Sequence, residues 1–128
     1  MGISNSLVIN LDARNLKKLN IRADGILLDV PCTGEGLIRK DPRRKKNRNV
    51  SDLEKMAKIQ KNLLNAGLEC LKPRAKLVYS TCSIAPEENE LVIHDVLNGK
   101  DDYSILKINL NYGSSGYNKV FGLSLIHI

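Results

Sequence analysis

Two apolar runs separated by one long amphipathic stretch leave this chain few ways to fold. Gly25-Ile26-Leu27-Leu28-Asp29-Val30 is a continuous apolar run interrupted only by its aspartate, a pattern typical of a buried parallel strand. Ala75-Lys76-Leu77-Val78-Tyr79-Ser80 reads as another strand. Between them, Ser51-Asp52-Leu53-Glu54 forms a capping box, with Ser51 at the N-cap. Leu53, Met56, Ala57, Leu63, Leu64, Leu68 and Leu71 then recur at helical spacing. This helix should end near Leu71, because Pro73 disfavours helical geometry in the residue before it.

Further elements flank this unit. Leu7-Val8-Ile9-Asn10-Leu11 predicts a short strand ending at Asp12-Ala13-Arg14. Pro86 suits the first position of a second helix, and Glu87, Glu88 and Glu90 complement its positive end. That helix runs towards Leu97 and stops around Gly99. Tyr103 to Leu110 and Val120 to Ile128 read as two more strands, separated by a turn at Gly113-Ser114-Ser115-Gly116 and pairing antiparallel. Strand, helix, strand, helix, strand is the order of an α/β fold.

At 128 residues the chain is one modest domain or a piece of a larger one. Its net charge of +6 favours an anionic partner, with nucleic acid the usual candidate, although a merely soluble basic protein has the same charge. The charge concentrates in a loop: Arg39, Lys40, Arg43, Arg44, Lys45, Lys46 and Arg48 stand against Asp41 alone. Such a run can grip phosphates, form a solvated loop or serve as a nuclear-import signal. Three cysteines with no close-spaced pair fit a reducing compartment and argue against a disulfide scaffold. The N-terminus lacks the order of a signal peptide and no apolar run approaches a membrane span. The expected location is intracellular: cytoplasmic, or nuclear or nucleolar in a eukaryote.

In doubly wound sheets ligands sit beyond the carboxyl ends of the strands. Asp12, the Asp29-to-Cys32 turn and the Ser80-to-Ser83 turn all fall at such ends and should converge on one rim. Each also has a plainer reading. Asp12 can be a turn residue before a helix, and Cys32 and Cys82 can be small buried hydrophobes. Cys70, on the apolar side of the long helix, is read as core. A zinc site from Cys32, Cys82 and His94 lacks a close-spaced ligand pair, and no metal is expected. His94 and His127 read as ordinary surface or strand residues.

Asp29-Val30-Pro31-Cys32-Thr33-Gly34-Glu35-Gly36 resembles the Asp-Ala-Pro-Cys-Ser-Gly-x-Gly motif of the Sun/Nop-type (Fmu-like) RNA cytosine-5 methyltransferases. Ser80-Thr81-Cys82-Ser83 with Pro86-Glu87-Glu88-Asn89-Glu90 resembles that family's second cysteine motif. Ile38-Arg39-Lys40-Asp41-Pro42, Ile59-Gln60-Lys61-Asn62-Leu63-Leu64 and Leu71-Lys72-Pro73 also look familial, and the resemblance extends from about residue 1 to residue 98.

The resemblance implies a Rossmann-like class I methyltransferase that uses S-adenosylmethionine to make 5-methylcytosine in RNA. Transfer RNA is placed ahead of ribosomal RNA as the substrate. On that pattern Cys82 is the nucleophile that adds to C6 of cytosine, and Cys32 assists its release. Asp29 would bind the cytosine edge and border the methionine part of the cofactor, with Asp12 at the adenine end. The basic run from Arg39 to Arg48 would hold phosphates without reading sequence. The chemistry is consistent, because a thiolate must add to the ring, and the base must first leave its stack. DNA cytosine methyltransferases place their cysteine after a proline, as Cys32 is here, so only the resemblance favours Cys82.

The sequence also departs from the family. The first two strands of the family fold, one with a Gly-rich turn and one ending in an acidic ribose-binding residue, have no counterpart here. Leu7–Leu11 would then be an edge strand separated from the Asp29 strand by the missing pair. Residues 1–128 are therefore expected to be the C-terminal portion of a catalytic domain, incomplete as a sheet and weak in binding cofactor by itself. Lys72-Pro73-Arg74-Ala75 stands where the family has Gly-Gly, and the last residues only loosely match. The rival readings are a truncated, inactive RNA-binding fragment and an amino-group methyltransferase. The latter typically carries Asn/Asp-Pro-Pro-Tyr where this chain has Asp-Val-Pro-Cys.

Overall fold

A computed structural model of the chain describes residues 2–34, 50–107, 114–115 and 126–127. Strand β1 (Ala23–Asp29), helix α1 (Val50–Cys70) and strand β2 (Leu71–Ser80) form the central unit. The two strands pair in parallel, with Ile26 opposite Leu77, Leu28 opposite Tyr79 and Asp29 opposite Ser80. This mixed α/β arrangement bears out the central strand–helix–strand reading, and the parallel pairing brings both carboxyl ends to one edge.

A single-turn 3-10 helix (Pro86–Glu88) leads into helix α2 (Glu90–Leu97). Pro86 stands at its start, where a missing N–H costs nothing. Helices α1 and α2 pack on one face of the sheet through Ala57, Leu64, Leu68, Val92, Ile93 and Val96, with Leu28, Leu77 and Tyr79 beneath them. Each fully buried aliphatic side chain here contributes about 1.5–3 kcal/mol. Cys70 is buried, as its place on the helix predicts. Helix α1 lies so close to the strands that a Cβ on Gly67 would come within 2.9 Å of Leu77 Cδ1. Arg22 fastens the entry to β1 by donating to the carbonyls of Glu69, in the last turn of α1 where carbonyls lack helical partners, and of Leu71, the first residue of β2.

Three expectations change. Leu7–Leu11 is not a strand: Leu7 is 84% and Val8 94% exposed, and among the described residues no strand pairs with the segment. A strand is stabilised by its ladder, and an apolar run with no neighbour gains nothing by extending. Helix α1 begins at Val50, so Ser51 lies in its first turn rather than capping it. Strand β2 begins at Leu71 and takes Pro73 in by slipping register between Ala23 and Gly25, an irregularity that tolerates proline.

Towards the C-terminus, residues 103–107 are not strand. Strands β3 (Ser114–Ser115) and β4 (Ile126–His127) pair antiparallel, so part of the expected turn is itself paired. The remainder of the two predicted strands lies outside the described residues. Among those described, no helix is long and apolar enough to cross a membrane.

Candidate active site

Strands β1 and β2 end side by side, and the chain turns at both ends into a cysteine. Beyond Asp29, Val30 extends the ladder by donating to the Ser80 carbonyl at 3.0 Å. Pro31, Cys32 and Thr33 follow, and Gly34 has φ +73°, a left-handed conformation that a side chain would oppose. After Ser80 the second turn runs through Thr81, Cys82 and Ser83. The two cysteine Cα atoms are 6.3 Å apart, and the sulfurs are in bonding contact as a disulfide.

This single pairing stands against the expectation that the cysteines form no disulfide, while Cys70 remains free. The reason is topological: cysteines fifty residues apart meet because each follows one of two adjacent parallel strands. The bridge is local to the rim. Cys82 is exposed and Cys32 half-buried, so a reduced pair would have its thiols at the rim.

Asp29 is exposed on the same edge, and Ser80 Oγ donates to its Oδ1 at 2.7 Å. Among the described residues the other carboxylate oxygen has no hydrogen-bond partner, which leaves it open there to an amino or ammonium group. Asp12 is elsewhere engaged. It caps a 3-10 helix (Ala13–Leu19) by accepting from the Arg14 N–H, and its carboxylate also binds the Arg14 guanidinium. Those hydrogen bonds hold its pKa at about 2. The plainer reading of Asp12 as a turn residue thus has a geometric basis.

Behind the rim lies a polar network that sequence reasoning missed. Glu88 is fully buried and accepts from Thr33 N at 2.8 Å, Thr33 Oγ1 at 2.5 Å and Gln60 Nε2 at 3.1 Å. Glu88 stands in the first turn of the 3-10 helix, as a helix-dipole partner should, and its carboxylate also points inward to the Cys32 turn. Gln60 also donates to the Pro31 carbonyl, and the Tyr79 hydroxyl donates to the Glu88 carbonyl, both at 2.8 Å. Burial first, and then the Glu88 carboxylate, push the Tyr79 phenol above its ordinary range. Apart from its place in the second cysteine motif, Glu88 carries no sequence signal beyond a short run of acids, which solvent-facing helix starts also produce.

The basic run Arg39–Arg48 lies outside the described residues. Among the described residues, no group of three histidine, cysteine or acidic side chains is placed to hold a metal ion. His94 lies on α2 beside Asp95.

A family model described as "16S rRNA methyltransferase RsmB/F" matches residues 1–122. The chain is 35% identical over 123 residues to a mouse 28S rRNA (cytosine-C(5))-methyltransferase, covering 93% of this chain and 15% of the relative. It is 41% identical over 95 residues to ribosomal RNA small subunit methyltransferase F of Shewanella amazonensis, covering 73% of this chain and 20% of that one. The chain thus spans only a small part of the curated relatives it matches. Among solved structures, a methyltransferase homologue from Pyrococcus horikoshii superposes with a TM-score of 0.75 at 39% identity, over 97% of this chain and 37% of that one. NSun6 from the same organism, solved with SFG, gives 0.78 at 33% identity over 90% of this chain and 29% of its own.

Proposed function

The chain belongs to the RsmB/F family of RNA methyltransferases, and from that premise we propose that it is the catalytic, RNA-facing part of an RNA cytosine-5 methyltransferase with a Rossmann-like sheet. The reading rests above all on one observation: Cys32, Cys82 and Asp29 share the carboxyl-terminal rim of two adjacent parallel strands. Ribosomal RNA is the substrate class proposed first, after the names of the relatives, with transfer RNA second.

The chemistry follows from the reactivity of the base. C5 of cytosine is a poor nucleophile until something adds to C6. Cys82, as thiolate, forms the S–C6 bond, and the ring electrons move to C5. S-adenosylmethionine, when bound, supplies the methyl group that C5 takes. A base then removes the C5 proton, the C5–C6 double bond re-forms and the S–C6 bond breaks. Cys32, beside Cys82, assists that last step. Asp29 fits the N3/N4 edge of cytosine, because Ser80 engages only one of its oxygens. Asp29 would also help hold the methionine part of the cofactor. Asp12 fits the adenine end only when Arg14 gives up one carboxylate oxygen. The basic run between the Cys32 turn and α1 holds RNA phosphates.

Cys32 and Cys82 must be reduced for this chemistry, because a joined sulfur cannot attack. Activity is therefore expected to require a thiol reductant.

The test is a pair of variants in the protein carrying this chain, assayed with RNA and S-adenosylmethionine under reducing conditions. Cys82→Ala should lower 5-methylcytidine formation, read by mass spectrometry, by at least about a thousand-fold. Cys32→Ala should accumulate a covalent protein–RNA adduct on a denaturing gel. Full activity of Cys82→Ala would reverse the assignment.

A further inference from the structure

Glu88 and Asn89 are neighbours in the chain, yet each grips a different cysteine turn. Glu88 binds Thr33 through both backbone and hydroxyl, and Gln60, bound to the same carboxylate, reaches the Pro31 carbonyl. The residues on either side of Cys32 are thereby held. Asn89 does the same for the other turn. Its Oδ1 accepts from Thr81 Oγ1 at 2.8 Å, and its Nδ2 donates to the carbonyls of Ser83 at 3.0 Å and Ala85 at 2.8 Å. The residues on either side of Cys82 are held in turn.

We propose that Glu88–Asn89 is a positioning unit that sets the separation and mutual orientation of Cys32 and Cys82. One peptide bond joins the two residues, and each side chain is fixed by three hydrogen bonds, so together they gauge the distance between the turns. The Tyr79 hydroxyl, bound to the Glu88 carbonyl, ties that gauge to β2. Glu88 is fully buried and takes no part at the rim itself; its effect reaches the reaction through the thiols. Positioning is worth much in such a step, because a displacement of about 1 Å can cost about a hundred-fold in rate. The role of this unit in catalysis rests on the reading of Cys82 as nucleophile and Cys32 as its release partner.

Two measurements test it. In glutathione buffers the thiol pair and one oxidised glutathione exchange for the Cys32–Cys82 disulfide and two reduced glutathiones. The equilibrium constant is the effective concentration of one thiol at the other, and it reports geometry without any activity. Glu88→Ala and Asn89→Ala should each lower it at least about ten-fold. Glu88→Gln, which keeps an acceptor for the Thr33 N–H, should recover most of the loss. Lys61→Ala, which removes an ion pair to Asp95 on the surface, should change nothing. Should Glu88→Ala fail to fold, Thr33→Val removes only the hydroxyl bond and should give a drop of about three-fold. Parental equilibria in folded Glu88→Ala and Asn89→Ala would overturn the proposal.

The second measurement is adduct formation by the protein with RNA. Glu88→Ala should accumulate adduct as Cys32→Ala does, with KM for RNA little changed. Adduct in Cys32→Ala but not in Glu88→Ala would defeat the catalytic role of the gauge. No adduct in Cys32→Ala would defeat the assigned thiol roles instead, and the glutathione equilibria would still decide the positioning.

Discussion

At the scale of single residues, the rim separates groups that look alike in sequence. Asp29 and Asp12 are both aspartates following apolar runs, but Asp29 keeps an oxygen available while Asp12 is saturated by Arg14. That pairing has a pH signature. The Asp12 pKa of about 2 lies below the ordinary carboxylate value, so its contribution to stability is complete above that value and lost as the pH falls towards 2. Carbon-detected NMR of the Asp12 carboxyl should give a midpoint of about 2. In Arg14→Ala the midpoint should move up towards about 4. Cys32, Cys82 and Asp29 could be picked out from the sequence because reactive residue types follow apolar runs there. Glu88 could not. Its three hydrogen bonds come from residues 28 and 55 positions away, and nothing local distinguishes it from Glu87.

At the scale of elements, the helices were readable and the strands only partly so. Helix α1 announces itself by apolar spacing and by the proline beyond its end, all local signals. A strand depends on its neighbours, which explains why Gly25–Val30 and Ala75–Ser80 formed while Leu7–Leu11 did not. The start of β2 carries a local conflict. Arg74 has φ +66°, left-handed backbone that costs a side-chain-bearing residue about 1–2 kcal/mol, at the place where the resembled family has glycine. Arg74→Gly should therefore stabilise the chain, by about 0.5–1 kcal/mol once the greater freedom of unfolded glycine is subtracted. Urea unfolding should show the midpoint rising with an unchanged slope.

At the scale of the whole molecule, the β1–β2 sheet has one face covered by helices and, among the described residues, one exposed face. Leu27 and Val78 are register partners on the face opposite the helices, and they are 73% and 49% exposed. Leu64, on the helical side, is 2% exposed. Leu64→Ala should cost about 2–4 kcal/mol, and Leu27→Thr less than about 0.5 kcal/mol, both read from urea unfolding. A large loss from Leu27→Thr would mean that this face is packed in solution. By itself the sequence determined the helices, the two central strands and the chemical types at their ends, because apolar spacing and proline act over a few residues. Only the tertiary structure decided that the two strands lie side by side in parallel, that two thiols fifty residues apart therefore meet, and that Glu88 turns inward to hold one of their turns. These are contacts between distant segments, and their energies appear only when the chain has closed on itself.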